Sequence, residues 1–229
     1  MARPLSFDKS KVLAIIERQF RQGGYAATSL DDIATVSQLG RGSLYAAFGD
    51  KHQLFLHTLH NYCDRQEAAV AAALQGPDDT ALQRLRDYLI GNLRNVFDDP
   101  DLLGCMAGRF ALEVGGSDAE AAQRISRAFA AQREALRECC AAAQRHGDLD
   151  PTVNPEEIAV MLLALARGID VMAGAGTEEM LMEATALRAL AGLPATSQGQ
   201  RELQRLTQQS PRRPTREDGG TKALERADA

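Results

Sequence analysis

"GRGSLYAAFGDKHQLF", residues 40–55, is the stretch on which the reading of this chain turns. Leu44, Phe48, Leu54 and Phe55 are apolar at helical spacing, and Gly49-Asp50 interrupts the run. The piece before Gly49 is too short and too glycine-dotted for a core helix. Leu44 and Phe48 can anchor it from behind, which leaves Arg41, Ser43, Tyr45, Ala46 and Ala47 in front. The second helix of a helix-turn-helix has this form, because its N-terminal residues enter the major groove while the first helix braces on the backbone. The plain alternative is a tight helical corner with Tyr45 packed and Arg41 solvated.

The segments on either side favour the first reading. Val12, Ile15, Ile16, Gln19 and Phe20 mark a helix over residues 8–22, ended by "GGY" at 23–25. Ser29 offers an N-cap with Asp32 three residues on, so a short helix is expected through about Val36, with Leu30, Ile33 and Ala34 inward. A four-residue turn and the 41–47 helix follow. Asp50 then caps a long helix from Lys51 to about Ala73. Further helices are expected over 80–97, 103–114, 119–145, 155–173 and 177–191, separated by "QGPDD", "DDPD", "GGSD" and "HGDLDP". No segment alternates with period two, so the fold class is all-α: a three-helix helix-turn-helix domain at 1–55 and a larger helical domain at 56–193. Beyond Leu193 the chain turns proline-, glycine- and charge-rich, and 194–229 is expected to be a disordered tail with at most one helical turn near 200–207.

Composition is that of a globular protein: 229 residues, 45% hydrophobic and 25% charged. No run of about 18 apolar residues is present, so no membrane span is expected. "MARPLSFDKSKVLAII" lacks a signal-peptide pattern, which leads to the expectation of a cytoplasmic protein. Cys63, Cys105, Cys139 and Cys140 show no CxxC spacing and read as reduced thiols. The net charge of −5 is uneven. Residues 1–60 hold 7 basic against 5 acidic side chains, 61–194 hold 12 against 21, and 195–229 hold 7 against 5. An acidic middle argues against nucleic acid wrapped around the whole molecule and leaves the N-terminal module as a candidate for phosphate contact.

Each outward residue has a plausible part. Arg41 can reach a guanine edge or a phosphate, and Ser43 can bond either. Tyr45 can donate to a phosphate oxygen, and Ala46 or Ala47 can sit against a thymine methyl. Lys51 and the free N–H groups at its helix start make a phosphate site.

The run from Gly23 to Phe55 resembles the DNA-binding domain of the tetracycline-repressor (TetR) family of bacterial transcriptional regulators. The resemblance rests on Phe20, Gly24-Tyr25, Thr28-Ser29, Ile33-Ala34, Gly42-Ser43-Leu44-Tyr45, Phe48, Lys51 and Leu54-Phe55, and covers about the first 60 residues. It adds Thr28, Ser29 and Gly42 to the expected DNA-contact set of Arg41, Ser43, Tyr45, Ala46 and Lys51. Two positions depart from the family pattern. Gln38 stands where the turn often has glycine, and Gly40 stands where a serine-like cap is common.

The resemblance further implies a homodimer on double-stranded operator DNA, with a small-molecule effector bound in the C-terminal domain. The dimer face is expected on the last two long helices, at Leu162, Leu165, Ile169, Leu181 and Leu187; the alternative is that these residues are core. An effector pocket is expected between 80–97, 103–114 and the middle of 155–173, lined by Tyr88, Asn92, Cys105, Met106, Arg109, Phe110, Met161 and Leu165. Each of these, too, can be core. The implied function is a repressor released from its operator by an effector. An alternative is an electrophile- or oxidant-sensing repressor using Cys105, since some members of the family carry a reactive cysteine in a similar Gly-Cys setting. Another is an all-helical enzyme with a nucleic-acid-binding module, but no GxSxG, phosphate loop or HExxH is present. His57, His60 and Cys63 or Asp64 share one helical face; the expected reading is a polar face, with no metal and no cofactor.

Overall fold

The computed structural model describes residues 7–208, which form ten α-helices. In chain order they are α1 (Lys9–Ala27), α2 (Leu30–Ser37), α3 (Arg41–Phe48), α4 (Lys51–Leu74), α5 (Ala81–Asp98), α6 (Met106–Glu113), α7 (Ala119–His146), α8 (Pro155–Gly174), α9 (Glu179–Ala191) and α10 (Ser197–Gln208). There is no strand among the described residues; one isolated antiparallel bridge joins Leu149 to Ala195.

Local chemistry sets most of the boundaries. Asp8 caps α1 by accepting from the Ser10 and Lys11 N–H groups. The helix breaks at Gly24 (φ 79°, ψ 170°) and continues for one further turn to Ala27, past the expected end at residue 22. Glycine is required there on two counts. Its φ is positive, and a Cβ would lie 2.9 Å from the Glu113 carboxylate, which reaches over from α6 to accept the Ala26 N–H at 3.0 Å. The expected capping box at Ser29 is present: Asp32 N–H donates to Ser29 Oγ and Ser29 N–H donates to Asp32. Asp50 caps α4 in the same way with Gln53.

The side chains gather into two cores. One joins α1–α3 and the first half of α4 to α6 and the start of α7, around Ile16, Phe20, Ile33, Leu44, Phe55 and Phe110. Phe55 lies edge-on to Phe20 and Phe110, with ring centroids 5.3 and 4.9 Å away. The other joins α5, the second half of α7, α8, α9 and α10 around Leu85, Leu89, Leu136, Leu162, Ile169 and Leu190. α7 is the shared spine, packed along both α4 and α8.

The tail expectation needs correction over its first part. Residues 197–208 are helical and packed, with Leu203 and Leu206 buried against α9 and α5. These two leucines, three apart, close a groove that exists only once α5 and α9 have come together. The rest of the expected tail, 209–229, lies outside the described residues.

Candidate nucleic-acid interface and effector cleft

α3 presents Arg41, Gly42, Ser43, Tyr45 and Ala46 to solvent while Leu44 and Phe48 are buried behind them. Tyr45 is 52% exposed, so its phenol is not core. The Arg41 guanidinium forks onto the Asp31 carboxylate of α2, with both side chains well exposed. Such an exposed pair is worth little in water and can be exchanged for a phosphate or a base. Lys51, at the first position of α4, donates to the Ala26 carbonyl at 3.3 Å and lies 4.6 Å from the Tyr25 ring centroid. Ser29 is exposed, but its hydroxyl is bonded to Asp32 at 2.6 Å, and those bonds hold the Asp32 carboxyl below its ordinary range. Thr28 is placed differently from expectation. It is buried, and its hydroxyl donates to the Gly24 carbonyl at 2.6 Å, so it braces the α1–α2 junction.

Of the two positions that depart from the family pattern, one is strained in the turn between α2 and α3. Gln38 sits in the left-handed region (φ 56°, ψ 27°), and Gly40 caps α3 without a side-chain bond.

A cleft of about 250 Å³ opens where α1 meets α4, α5, α8 and the loop before α6. It lies where the pocket was expected, but its wall is charged instead of apolar. Asn92 and Cys105 line it as expected, joined by Glu17, Arg21, Tyr62, Arg65, Asp99, Arg167 and Asp170. Arg167 donates to Asn92 Oδ1 at 2.6 Å and pairs with Asp170 at 2.9 Å. Burial alone would lower the Arg167 pKa; Cys105, Asp170, Tyr88 and Tyr62 around it raise it on balance. Tyr88 is buried nearby with its hydroxyl unpartnered.

The other expected pocket residues lie elsewhere. Met106 and Phe110 are fully buried in the first core. Arg109 is exposed, Met161 is exposed on α8, and Leu165 packs against the second core. Glu17 and Arg21 were not singled out because they sit on the polar stripe of an amphipathic helix, where solvent is the default neighbour. The approach of the α5–α6 loop and of α4 encloses them: Arg21 reaches Gly104 O and Asp99, and Arg65 of α4 reaches Glu17.

Cys105 is the N-cap of α6, one residue before its first turn, and its sulfur accepts the Gly108 N–H at 3.4 Å. The helix starts at 106 and not 103. Leu102 (φ 50°) and Gly104 (φ 62°) hold the preceding residues in a non-helical loop. Burial pushes the Cys63 and Cys140 thiols up to about 12 and raises Cys139 as well. The histidines of α4 gather no site: among the described residues no group of three or more His, Cys, Asp or Glu is close enough to hold a metal.

On the last helices, Leu162 and Ile169 belong to the protomer core, and Leu165 and Leu187 pack partly against it. The exposed apolar face consists of Val160, Met161, Val171 and Met172 on α8 with Met180 and Leu181 on α9. Of the expected interface residues, Leu181 lies on that face.

Two family models cover most of this architecture. Residues 12–58 match bacterial regulatory proteins of the tetR family, and residues 81–189 match the tetracyclin repressor-like C-terminal domain. The chain belongs to the TetR family of transcriptional regulators. It is a DNA-binding regulator and not an enzyme. The HTH-type transcriptional repressor ComR of Escherichia coli (strain K12) is 28% identical over 190 residues, covering 81% of this chain and 90% of ComR. The repressor DhaR of Mycobacterium sp. (strain GP1) is 21% identical over 149 residues, covering 65% of this chain and 73% of DhaR. Among solved structures, a cysteine-substituted TetR-family regulator CifR complexed with 26-bp double-strand operator DNA superposes with a TM-score of 0.68. It is 26% identical, and the match covers 84% of this chain and 100% of that one. Reduced NemR of Escherichia coli, at 17% identity, shares the fold with a TM-score of 0.71 over 82% of this TetR-family chain and 96% of NemR. No helix among the described residues is long and apolar enough to cross a membrane.

Proposed function

We propose that the chain is a homodimeric repressor that leaves its operator when a small molecule occupies the cleft beside α1. In this reading residues 1–55 bind DNA, and 56–193 hold the effector and pair the protomers. One observation carries it: the cleft is walled by Glu17 and Arg21 of the DNA-reading head and by Asn92, Cys105, Arg167 and Asp170 of the body. Whatever fills it acts on the seating of α1, and α1 carries α2 and α3.

The test is operator binding, followed by fluorescence anisotropy on DNA from upstream of the protein's own gene. Tyr45→Phe and Lys51→Ala should weaken binding to all sequences alike, since phosphate contacts carry little sequence information. Arg41→Ala should also relax one base position by about 1–3 kcal/mol if it reads guanine. Asp31→Asn should tighten binding, because it frees Arg41. Folded variants that all bind like the wild type would refute the interface.

A second reading, thiol control through Cys105, has its own observation. This cysteine lines the cleft; burial pushes the Cys63 and Cys140 thiols up to about 12 and raises Cys139. Operator release by N-ethylmaleimide in wild type but not in Cys105→Ser supports it; equal retention of DNA by both discards it.

A further inference from the structure

Two arginines line the cleft with part of their hydrogen-bonding capacity unused. Arg21 and Arg167 both line it, and the Nε–H of each is buried without an acceptor. An unsatisfied buried donor is costly, the more so on a charged group, which favours an acceptor that reaches either guanidinium. Two guanidinium groups lining one cleft suit a carboxylate or phosphate, whose oxygens match the planar fork.

The acidic wall is less opposed to an anion than a count of carboxylates suggests. Asp170 already pairs with Arg167 at 2.9 Å, and Glu17 pairs with Arg65 and, at 3.6 Å, with Arg21. Burial holds the carboxyls of Glu17 and Asp170 above their ordinary range, so each is readier to take up a proton when a second negative charge arrives.

Arg21 is also a clamp. From α1 it bonds Gly104 O and pairs with Asp99 at 3.5 Å, while its neighbours Arg18 and Gln22 hold Asp99 at 3.2 Å and Asp101 at 2.7 Å. The head is therefore tied to the α5–α6 loop by three side chains of α1, and Arg21 is the one of them that lines the cleft.

We propose that the cleft takes a small oxyanion, a molecule carrying a carboxylate or phosphate group, on Arg21 and Arg167, and that the bound anion competes with Asp99 for Arg21 and loosens α1 from the body. The competition with Asp99 deepens the effector reading above and rests on it; the anion site does not.

The experiment uses the full chain, with succinate and inorganic phosphate as probes and 1,4-butanediol as the neutral control, in isothermal titration calorimetry. At least one oxyanion should bind and butanediol should not. Arg167→Gln and Arg21→Lys should each weaken the oxyanion by about tenfold or more, the loss expected from one charge-assisted hydrogen bond. Asp99→Asn should tighten it. Two variants on different helices, each with its melting temperature measured, keep a folding defect from being mistaken for a lost site. Heat from neither probe, equal binding of butanediol, or unchanged affinity in both folded arginine variants overturns the anion site. Oxyanion binding that leaves operator affinity unchanged overturns the competition at Arg21. Operator release by a neutral compound in Arg167→Gln as in wild type leaves effector control standing and removes the oxyanion from it.

Discussion

Gln38 is the residue at which the DNA-reading head departs from the least strained backbone. It holds φ 56° and ψ 27° after α2, a conformation in which a Cβ crowds the carbonyl. Gln38→Gly should raise unfolding free energy by about 1 kcal/mol in urea denaturation while leaving operator affinity unchanged. A destabilised variant would mean that the glutamine side chain contributes more than its backbone costs. Legibility at this scale followed the range of the interaction. The Ser29–Asp32 box and the Asp50 cap are sequence-local and were read directly. The fates of Thr28, bonded back to Gly24 across a kink, and of Arg41, held by Asp31 ten residues earlier, depend on how α1, α2 and α3 cross.

Among the elements, α10 shows what docking adds. Its N-terminal end sits on the 147–150 loop, where Gly199 approaches so closely that a Cβ would come within 2.0 Å of the Asp148 carbonyl oxygen. The buried Asp148 carboxylate accepts from Gln198 at 3.1 Å and bonds His146 Nδ1 at 2.9 Å. The hydrogen bond to Asp148 is the main cause that raises the His146 pKa above 6.5. A histidine with a raised folded pKa stabilises fully below its unfolded value, and that contribution is lost as pH climbs through the folded value. Hydrogen-exchange protection of α10 amides, corrected for intrinsic rates, should therefore fall as pH rises from below 6.5 through that higher value. His146→Gln should flatten the dependence. Gly199→Ala should lower α10 protection at every pH. The α10 sequence is mostly polar and looked like tail; the groove that receives Leu203 and Leu206 is made by α5 and α9.

For the whole molecule, the unpartnered apolar face of α8 and α9 is the consequential surface. Val160, Met161 and Met172 are 44–47% exposed, and Val171, Met180 and Leu181 are 59–77% exposed. Large apolar side chains left exposed on two neighbouring helices favour association, and two protomers are needed to set two reading helices about 34 Å apart on DNA. Met161→Asp with Leu181→Asp should give a folded monomer by sedimentation and circular dichroism, with weakened operator binding. Leu162→Asp should instead unfold the protomer, because an unpaired charge in a site with 0% exposure costs several kcal/mol. A dimer that survives the double substitution would place the interface elsewhere.

Helical period, caps and glycine breaks determined the all-α fold, the order of the helices and the two-turn reading helix, because those signals act over three or four residues and need no partner. The inward and outward sides of α3 were determined in the same way. The tertiary structure decided everything that depends on two distant segments meeting. It put Glu17 and Arg21 of α1 into the wall of the cleft with Arg167 and Asp170 of α8. It also turned Leu162 and Ile169 inward and left Met161 and Met172 outside. On a helix apolar around most of its circumference, periodicity cannot choose which face a neighbour will cover; the packing of α7 and α5, with α9, against α8 makes that choice.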